Sequence, residues 1–443
     1  MKFKRIVCML ILFLIVFQTG ISVYAKTPYA SYFLAYADTN DDGGWTLPTP
    51  AAYLPLETLD FVSTEEGKLS SPEDMFLKDD LLYVCDTGNN RIVVYQKDEN
   101  GSFKFKYIIA DPTKLSADDP ARLNSPMGLF VDDNGTILVA DTGNKRLVEF
   151  TKYGNLRYVY NQPDNPILHY DGFVYSPLKV IKDSRGYIYV SNSGDYHGLM
   201  MFNDKGEFQK YFGANKVALT FFEAISRLFW SREARLGTEV KLPYSFNNVL
   251  ATSDAIYTTT TGTGVQVRKL NSAGSDIMFN PDQNYNDFNV TWYAPSFDPK
   301  QQVFCDVAVD SDENMTILDN SYGRIYQYDS IGRNLFAFGT TGPAPSQFTD
   351  PVGLEIDDLG NIYVLDKATG TITVFKPTEF ANLVHEANRY NIDGKYDLSL
   401  PLWNTVLQMD SYYVNALNAM GESYIRQEKY SDAMKVLKIS ENY

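Results

Sequence analysis

The sequence predicts a mainly β chain, a six-bladed β-propeller followed by a short α-helical hairpin array. Three observations carry this. First, Ser125–Tyr160 holds four short apolar runs: Leu129–Val131, Ile137–Ala140, Leu147–Phe150 and Leu156–Tyr160. Turn residues separate them, including Asn134-Gly135, and Asn-Gly favours a tight hairpin because its central residues need positive φ. The stretch therefore predicts a four-stranded antiparallel meander. Second, the unit recurs six times between Ser71 and Pro377, and a sheet that cannot bury its own faces must pack on copies of itself. Third, the hydrophobic period changes from strand to helix after Pro377.

Taken in order, residues 1–25 read as a processing signal. Lys2, Lys4 and Arg5 form a basic start, Ile6–Phe17 is an apolar run short for a membrane span, and Val23-Tyr24-Ala25 offers small residues for cleavage after Ala25. An uncleaved anchor is the competing reading. Residues 26–65 form an irregular extension, in which Ala51–Leu56 offers a strand that would complete the last blade and remove an open edge.

Residues 66–378 form the propeller. Each blade carries an anchor, an apolar strand ending in a polar residue, with the next strand starting five residues on. The anchors are Asp86 to Arg91, Asp141 to Arg146, Asn192 to His197, Thr260 to Val265, Asp319 to Arg324 and Asp366 to Thr371, at intervals of 55, 51, 68, 59 and 47 residues. An inner strand precedes each, opened by Pro72, Pro126, Pro177 and Pro351 in four blades. The pairs Asp86/Arg91, Asp141/Arg146 and Asp319/Arg324 read as structural, each carboxylate accepting turn amides and meeting the guanidinium across the hairpin.

Residues 214–242 interrupt blade four. Apolar positions 218, 221, 222, 225, 228 and 229 follow helical spacing. The insert predicts an amphipathic helix that packs on a propeller face, or contacts a membrane surface or partner through Phe221, Phe222, Phe229 and Trp230.

Residues 379–443 are helical. Two segments align at a spacing of 34 residues, pairing Tyr390 with Tyr424, Ala387 with Gly421, Ser399 with Ala433 and Trp403 with Leu437. Small residues there permit close helix packing. The helices would dock on the propeller, be completed by a partner, or belong to a chain shorter than its relatives.

The runs Asp86-Thr87-Gly88-Asn89-Asn90-Arg91-Ile92 and Asp141-Thr142-Gly143-Asn144-Lys145-Arg146-Leu147 resemble the signature turn of NHL-repeat propellers. The likeness spans roughly residues 70–378. It implies six blades and binding of proteins, peptides or glycans through one face. Ala416–Tyr424, with Tyr430 and Ala433, resembles a tetratricopeptide repeat, which implies a protein-interaction module.

Chemistry is sparse. Gluconolactonase-like propellers, which the fold also resembles, need several acids and amides converging on a metal in the channel. The residues after the blade openings read Glu73, Met127, Leu178, Phe246, Asp306 and Val352. Only Glu73 and Asp306 are acidic, and they are channel-facing candidates. A shift of register by one would bring in Asp74, Asn247 and Asn248. The histidines are His169, His197 and His385, and no nucleophile–base arrangement stands out. Cys85 and Cys305 read as buried small hydrophobes. Asp38, Asn40 and Asp42 match the first half of a calcium loop, but Thr49 stands where the bidentate acid belongs, which favours an Asx turn. Calcium is the one cofactor with any support. A net charge of −16 disfavours nucleic acid as a partner.

The expected function is a secreted or cell-surface binding scaffold, with a protein or glycan partner at the cell envelope and a connection to solute uptake. The alternative is a metal-dependent gluconolactonase-like hydrolase or lyase with its site in the channel. The residues do not favour an enzyme.

Overall fold

The computed structural model describes residues 31–35, 45–61, 67–99, 101–170, 172–213, 245–260, 266–278, 302–344 and 346–440. The first-25-residue segment, the 214–242 insert with Phe221, Phe222, Phe229 and Trp230, and the loop with Asp38, Asn40 and Asp42 lie outside these residues.

Blade two shows how composition becomes architecture. Its strands are Pro126–Val131, Ile137–Asp141, Arg146–Phe150 and Leu156–Tyr160, hydrogen-bonded in sequence order from channel to rim. The second strand is buried at every position, because both its faces meet other blades. The rim strand exposes Arg157 and Tyr158, since only part of it is covered. The connecting turn holds Gly135 at a φ of 77°, and the Asp132 carboxylate accepts the Asn134 and Thr136 amides. Asp183, Asp310 and Asp357 cap the matching turns of blades three, five and six.

Blade one runs from Asp74–Lys78 to Phe103–Ile109 and blade three from Pro177–Lys182 to Phe208–Phe212. Blade five runs from Phe304–Val309 to Asn334–Phe338. Blade four has three strands among the described residues: Phe246–Ala251, Ile256–Thr260 and Val267–Leu270. Blade six takes three strands from Pro351–Pro377, and its rim strand, Tyr53–Leu59, comes from the other end of the propeller and pairs antiparallel with Thr371–Pro377. The inner strands then touch in a closed ring, one to six and back to one. An apolar cluster fills each interface between neighbouring blades. A further hairpin, Ser31–Ala35 with Trp45–Thr49, extends the rim of blade five through Tyr32 opposite Ala337.

Blade three departs from the expected anchor. His197 does not begin a strand. The next strand is Leu199–Phe202, with Val190 opposite Met200. The hairpin is one residue longer than in blades one and two, where Val84 faces Val93 and Val139 faces Val148, and Asp195, Tyr196 and His197 lie outside the ladder.

Four helices follow: α1 (Glu379–Ile392), α2 (Tyr396–Met409), α3 (Val414–Arg426) and α4 (Tyr430–Ser440). Thr378 caps α1 by accepting the Ala381 amide at 3.3 Å. Two of the pairs matched at a spacing of 34 residues are buried in both members: Ala387 and Gly421, Ser399 and Ala433. The helices dock on blade five. Trp403, Phe380 and Tyr413 join Phe336 and Phe338 in one cluster. Tyr413 Oη donates to the Leu335 carbonyl at 2.9 Å, and Asn415 Nδ2 to that of Asn334 at 2.6 Å. The buried Asp329 accepts from Arg333 Nε at 2.7 Å and Asn388 Nδ2 at 3.3 Å. No helix among the described residues is long and apolar enough to cross a membrane.

Candidate functional site: the polar channel

Which side chains reach the channel is decided by one repeated irregularity. In blades two to six the pairing register of the inner strand slips by one residue just after it opens. The slip is a β-bulge at Met127, Leu178, Asn247, Cys305 and Val352, and a bulge re-aims the residue that follows it. The ring of following residues is Asp74, Gly128, Lys179, Asn248, Asp306 and Gly353.

This ring corrects the expected register. Asp306 lies in the channel, and so do Asp74 and Asn248. Glu73 is not a channel carboxylate: it stands one position early, and its side chain forms an ion pair with Lys367 at the channel's rim. Only its carbonyl looks inward, accepting from Lys179 Nζ at 3.0 Å. Two residues deeper, the next layer is apolar at Phe76, Ile181 and Leu250, with Glu355 the exception. Lys179 and Glu355 were not anticipated, although a lone Lys inside the apolar run Pro177–Ile181 is a signal.

The polar groups of the channel are used up on one another. Asp74 forms an ion pair with Lys179 and accepts the Leu129 amide at 2.8 Å, so it joins blades one, two and three. Asp306 accepts from Asn248 Nδ2, from its own neighbour's amide, Val307, at 2.7 Å, and from the Leu354 amide at 2.6 Å, so it joins blades four, five and six. The inner strands are edge strands whose inward N–H groups need acceptors, and these carboxylates supply them. The cavity left in the channel is about 30 Å³, room for about one water molecule.

Burial dominates the electrostatics. It pushes the Asp306 carboxyl up to about 7, opposed by Lys179 and reinforced by Asp74. It raises Asp74 in spite of Lys179, and raises Glu355 well above the usual carboxylate range, helped by Asp306 and Asp74. Burial alone would lower the Lys179 ammonium, but Asp74 and Asp306 hold it above its ordinary value. The thiols of Cys85 and Cys305 are pushed up by burial, and neither forms a disulfide. Among the described residues no three His, Cys, Asp or Glu side chains come together as a metal-ligating group.

The anchor pairs sit at the blade faces, away from the channel. Asp86 accepts the Ser70 amide at 2.7 Å, Asn89 Nδ2 at 2.8 Å and Arg91 Nε at 2.7 Å. Asp141 repeats this with the Asn124 amide, Asn144 and Arg146. In blade five Asp319 accepts the Val303 and Ser321 amides, and burial pushes it up to about 6 with Arg324 pulling the other way. Asn192 and Asp366 hold the Ser176 and Thr349 amides in the same way. Each anchor thus fixes the loop that enters its own inner strand. The adjoining threonines reach across: Thr87 and Thr142 donate at 2.6 Å to the carbonyls of Pro126 and Pro177, which open the next blades.

This geometry agrees with what comparison finds. Residues 123–150, the heart of blade two, match the family model of the NHL repeat. An 86-residue stretch is 35% identical to the human E3 ubiquitin-protein ligase TRIM32, over 17% of this chain and 13% of that protein. The chain therefore spans only a small part of the curated relative it matches. Among solved structures, a streptogramin B lyase is 11% identical with a TM-score of 0.42, covering 79% of this chain and 94% of that one. A gluconolactonase of Xanthomonas campestris is 10% identical with a TM-score of 0.42, covering 74% and 97%. The chain is a six-bladed β-propeller that carries an NHL repeat.

Proposed function

We propose that this chain is a non-catalytic binding scaffold acting outside the cytoplasm, in which the propeller and the helices present surfaces to a protein partner at the cell envelope. One observation carries the reading. The channel, where a propeller enzyme would work, has its carboxylates, lysine and amide engaged in joining the blades. A metal site there would need Asp74, Asp306 and Glu355 as ligands and Lys179 displaced from among them. The surface offers more. Beyond its packed face, the helical array exposes Tyr430, Met434 and Ile439 on α4, and apolar side chains gathered on one element mark contact surfaces. The N-terminal basic and apolar runs support the extracytoplasmic placement.

The test is elemental analysis of the purified full chain before and after chelator, together with capture of envelope proteins by the chain and by its Asp306→Asn variant. The scaffold reading expects capture that survives both chelator and substitution. A stoichiometric divalent ion, lost in the Asp74→Ala/Asp306→Ala double variant, would move the function into the channel and make lactones the substrates to try.

A further inference from the structure

The lengthened turn of blade three builds a second polar site. Asp195 is buried, its side chain 1% exposed, while His197 beside it keeps 35% of its side chain exposed. His197 Nδ1 lies 2.8 Å from Asp195 Oδ1, and Tyr211 Oη donates to Asp195 Oδ2 at 2.7 Å. A carboxylate only accepts, so Nδ1 carries a proton, and the tautomer this selects for the neutral ring has its lone pair on Nε2. Nε2 has no hydrogen-bond partner among the described residues. Three tyrosines surround the ring: Tyr196 stacked at 4.3 Å, Tyr211 stacked at 5.0 Å and Tyr170 tilted at 4.8 Å between centroids. They come from three places, the turn itself, the rim strand and the segment that crosses from blade two, so the cluster is assembled by the fold.

We propose that this corner of blade three binds an uncharged carbohydrate. A ring-fixed acceptor at the surface selects a ligand that brings donors, and hydroxyl groups do so without bringing charge. Flat tyrosine faces beside it match the apolar C–H face of a pyranose, giving aromatic contact area at low entropic cost. The buried carboxylate locks the imidazole tautomer, so the acceptor is set before the ligand arrives. A cationic ligand would find Asp195 already satisfied by His197 and Tyr211. The inference rests on the binding-scaffold reading and gives that scaffold a surface distinct from its helices.

The experiment titrates the full chain calorimetrically with cellohexaose, xylohexaose, mannohexaose and chitohexaose. At least one should bind. His197→Ala and the half-exposed Tyr196→Ala should each weaken it about tenfold, while His197→Gln, which can place an amide oxygen near Nε2, should restore part of the loss. Asp306→Asn should leave binding unchanged. Circular dichroism and melting of each variant show whether it remains folded, and Tyr196→Ala tests the site if His197→Ala does not. No binding by any of the four at millimolar concentration would overturn the proposal. So would binding indifferent to both substitutions, or a captured protein displaced by Tyr196→Ala. Loss confined to Asp306→Asn would instead return the ligand to the channel and overturn the scaffold reading with it.

Discussion

At the residue scale the channel carboxylate Asp306 and the docking histidine His385 make opposite predictions about pH. Burial pushes Asp306 up to about 7, above its value of about 4 in an unfolded chain. The folded state therefore holds a proton that the unfolded state has lost, and stability falls as pH rises between those values. Burial lowers His385 to about 4, while it sits 2.6 Å from Gln327 Oε1 and must donate to it as a neutral ring. Its stabilising effect is present above about 6.5, the unfolded value, and is lost as pH falls toward 4. Urea unfolding between pH 4 and 8 should separate them. Asp306→Asn should remove a downward slope above pH 5, and His385→Gln should remove a loss below pH 6.5, each on the order of 1–3 kcal/mol. If both variants track the wild-type curve, these groups are not buried as described. Asp141 supports a prediction of a different kind. Its carboxylate satisfies an amide, Asn144 and Arg146 while fully buried, so Asp141→Ala should cost about 2–4 kcal/mol. Arg146→Lys should cost less, since it forfeits mainly the Arg146 bond to the Arg122 carbonyl.

At the scale of elements, the same position in two blades tolerates different residues. A Cβ added at Gly128 would lie 2.3 Å from the Leu178 carbonyl and 2.8 Å from Lys179 Cα, both backbone. At Gly353, also in the channel ring, the nearest atom is Leu365 Cβ at 3.3 Å. Gly128→Ala should force blades two and three apart and lower the melting temperature by several degrees, about 1–3 kcal/mol, whereas Gly353→Ala should be close to neutral; equal effects in thermal melts would refute the asymmetry. This also shows where sequence reading stops. Strand order, blade count, the closing strand near Tyr53 and the anchor pairs of blades one and two were legible, because alternation, turn residues and period are local. The ring of channel residues was not, because a bulge inserts one residue without marking the sequence, and a one-residue slip turns every side chain to the other face. Asp306 came into view because the reading for blade five was already in the bulged register. The His197 corner was hidden differently. Its one extra turn residue left the anchor looking of ordinary length, and the partners Tyr170 and Tyr211 lie outside the turn, 27 residues before His197 and 14 after it.

At the scale of the whole molecule, a propeller is a ring that must be closed against its own strain of assembly, and here three devices close it. The first is covalent order: Tyr53–Leu59 completes blade six, so the two ends of the propeller meet inside one sheet. The second is the pair of channel carboxylates, Asp74 gathering blades one to three and Asp306 gathering four to six. The third is the helical array, which ties α1 to the closing strand's neighbour through Thr378 and the Ala51 carbonyl, at 2.7 Å, and packs on blade five. Closure of this kind predicts cooperativity between distant blades. Lys179 is the test, since it faces Asp74 directly and senses Asp306 across the channel. Lys179→Met leaves Asp74 without its cation and should destabilise by about 3–5 kcal/mol, whereas Lys179→Met with Asp74→Asn removes the buried charge together with its partner and should recover most of that loss. Because Asp74 and Lys179 stand in blades one and three while unfolding is read from the whole ring, the recovery should appear in a single transition. Two transitions, one moved by these substitutions and one not, would mean that the halves held by Asp74 and Asp306 unfold separately and that the closing strand alone does not make the ring one cooperative unit.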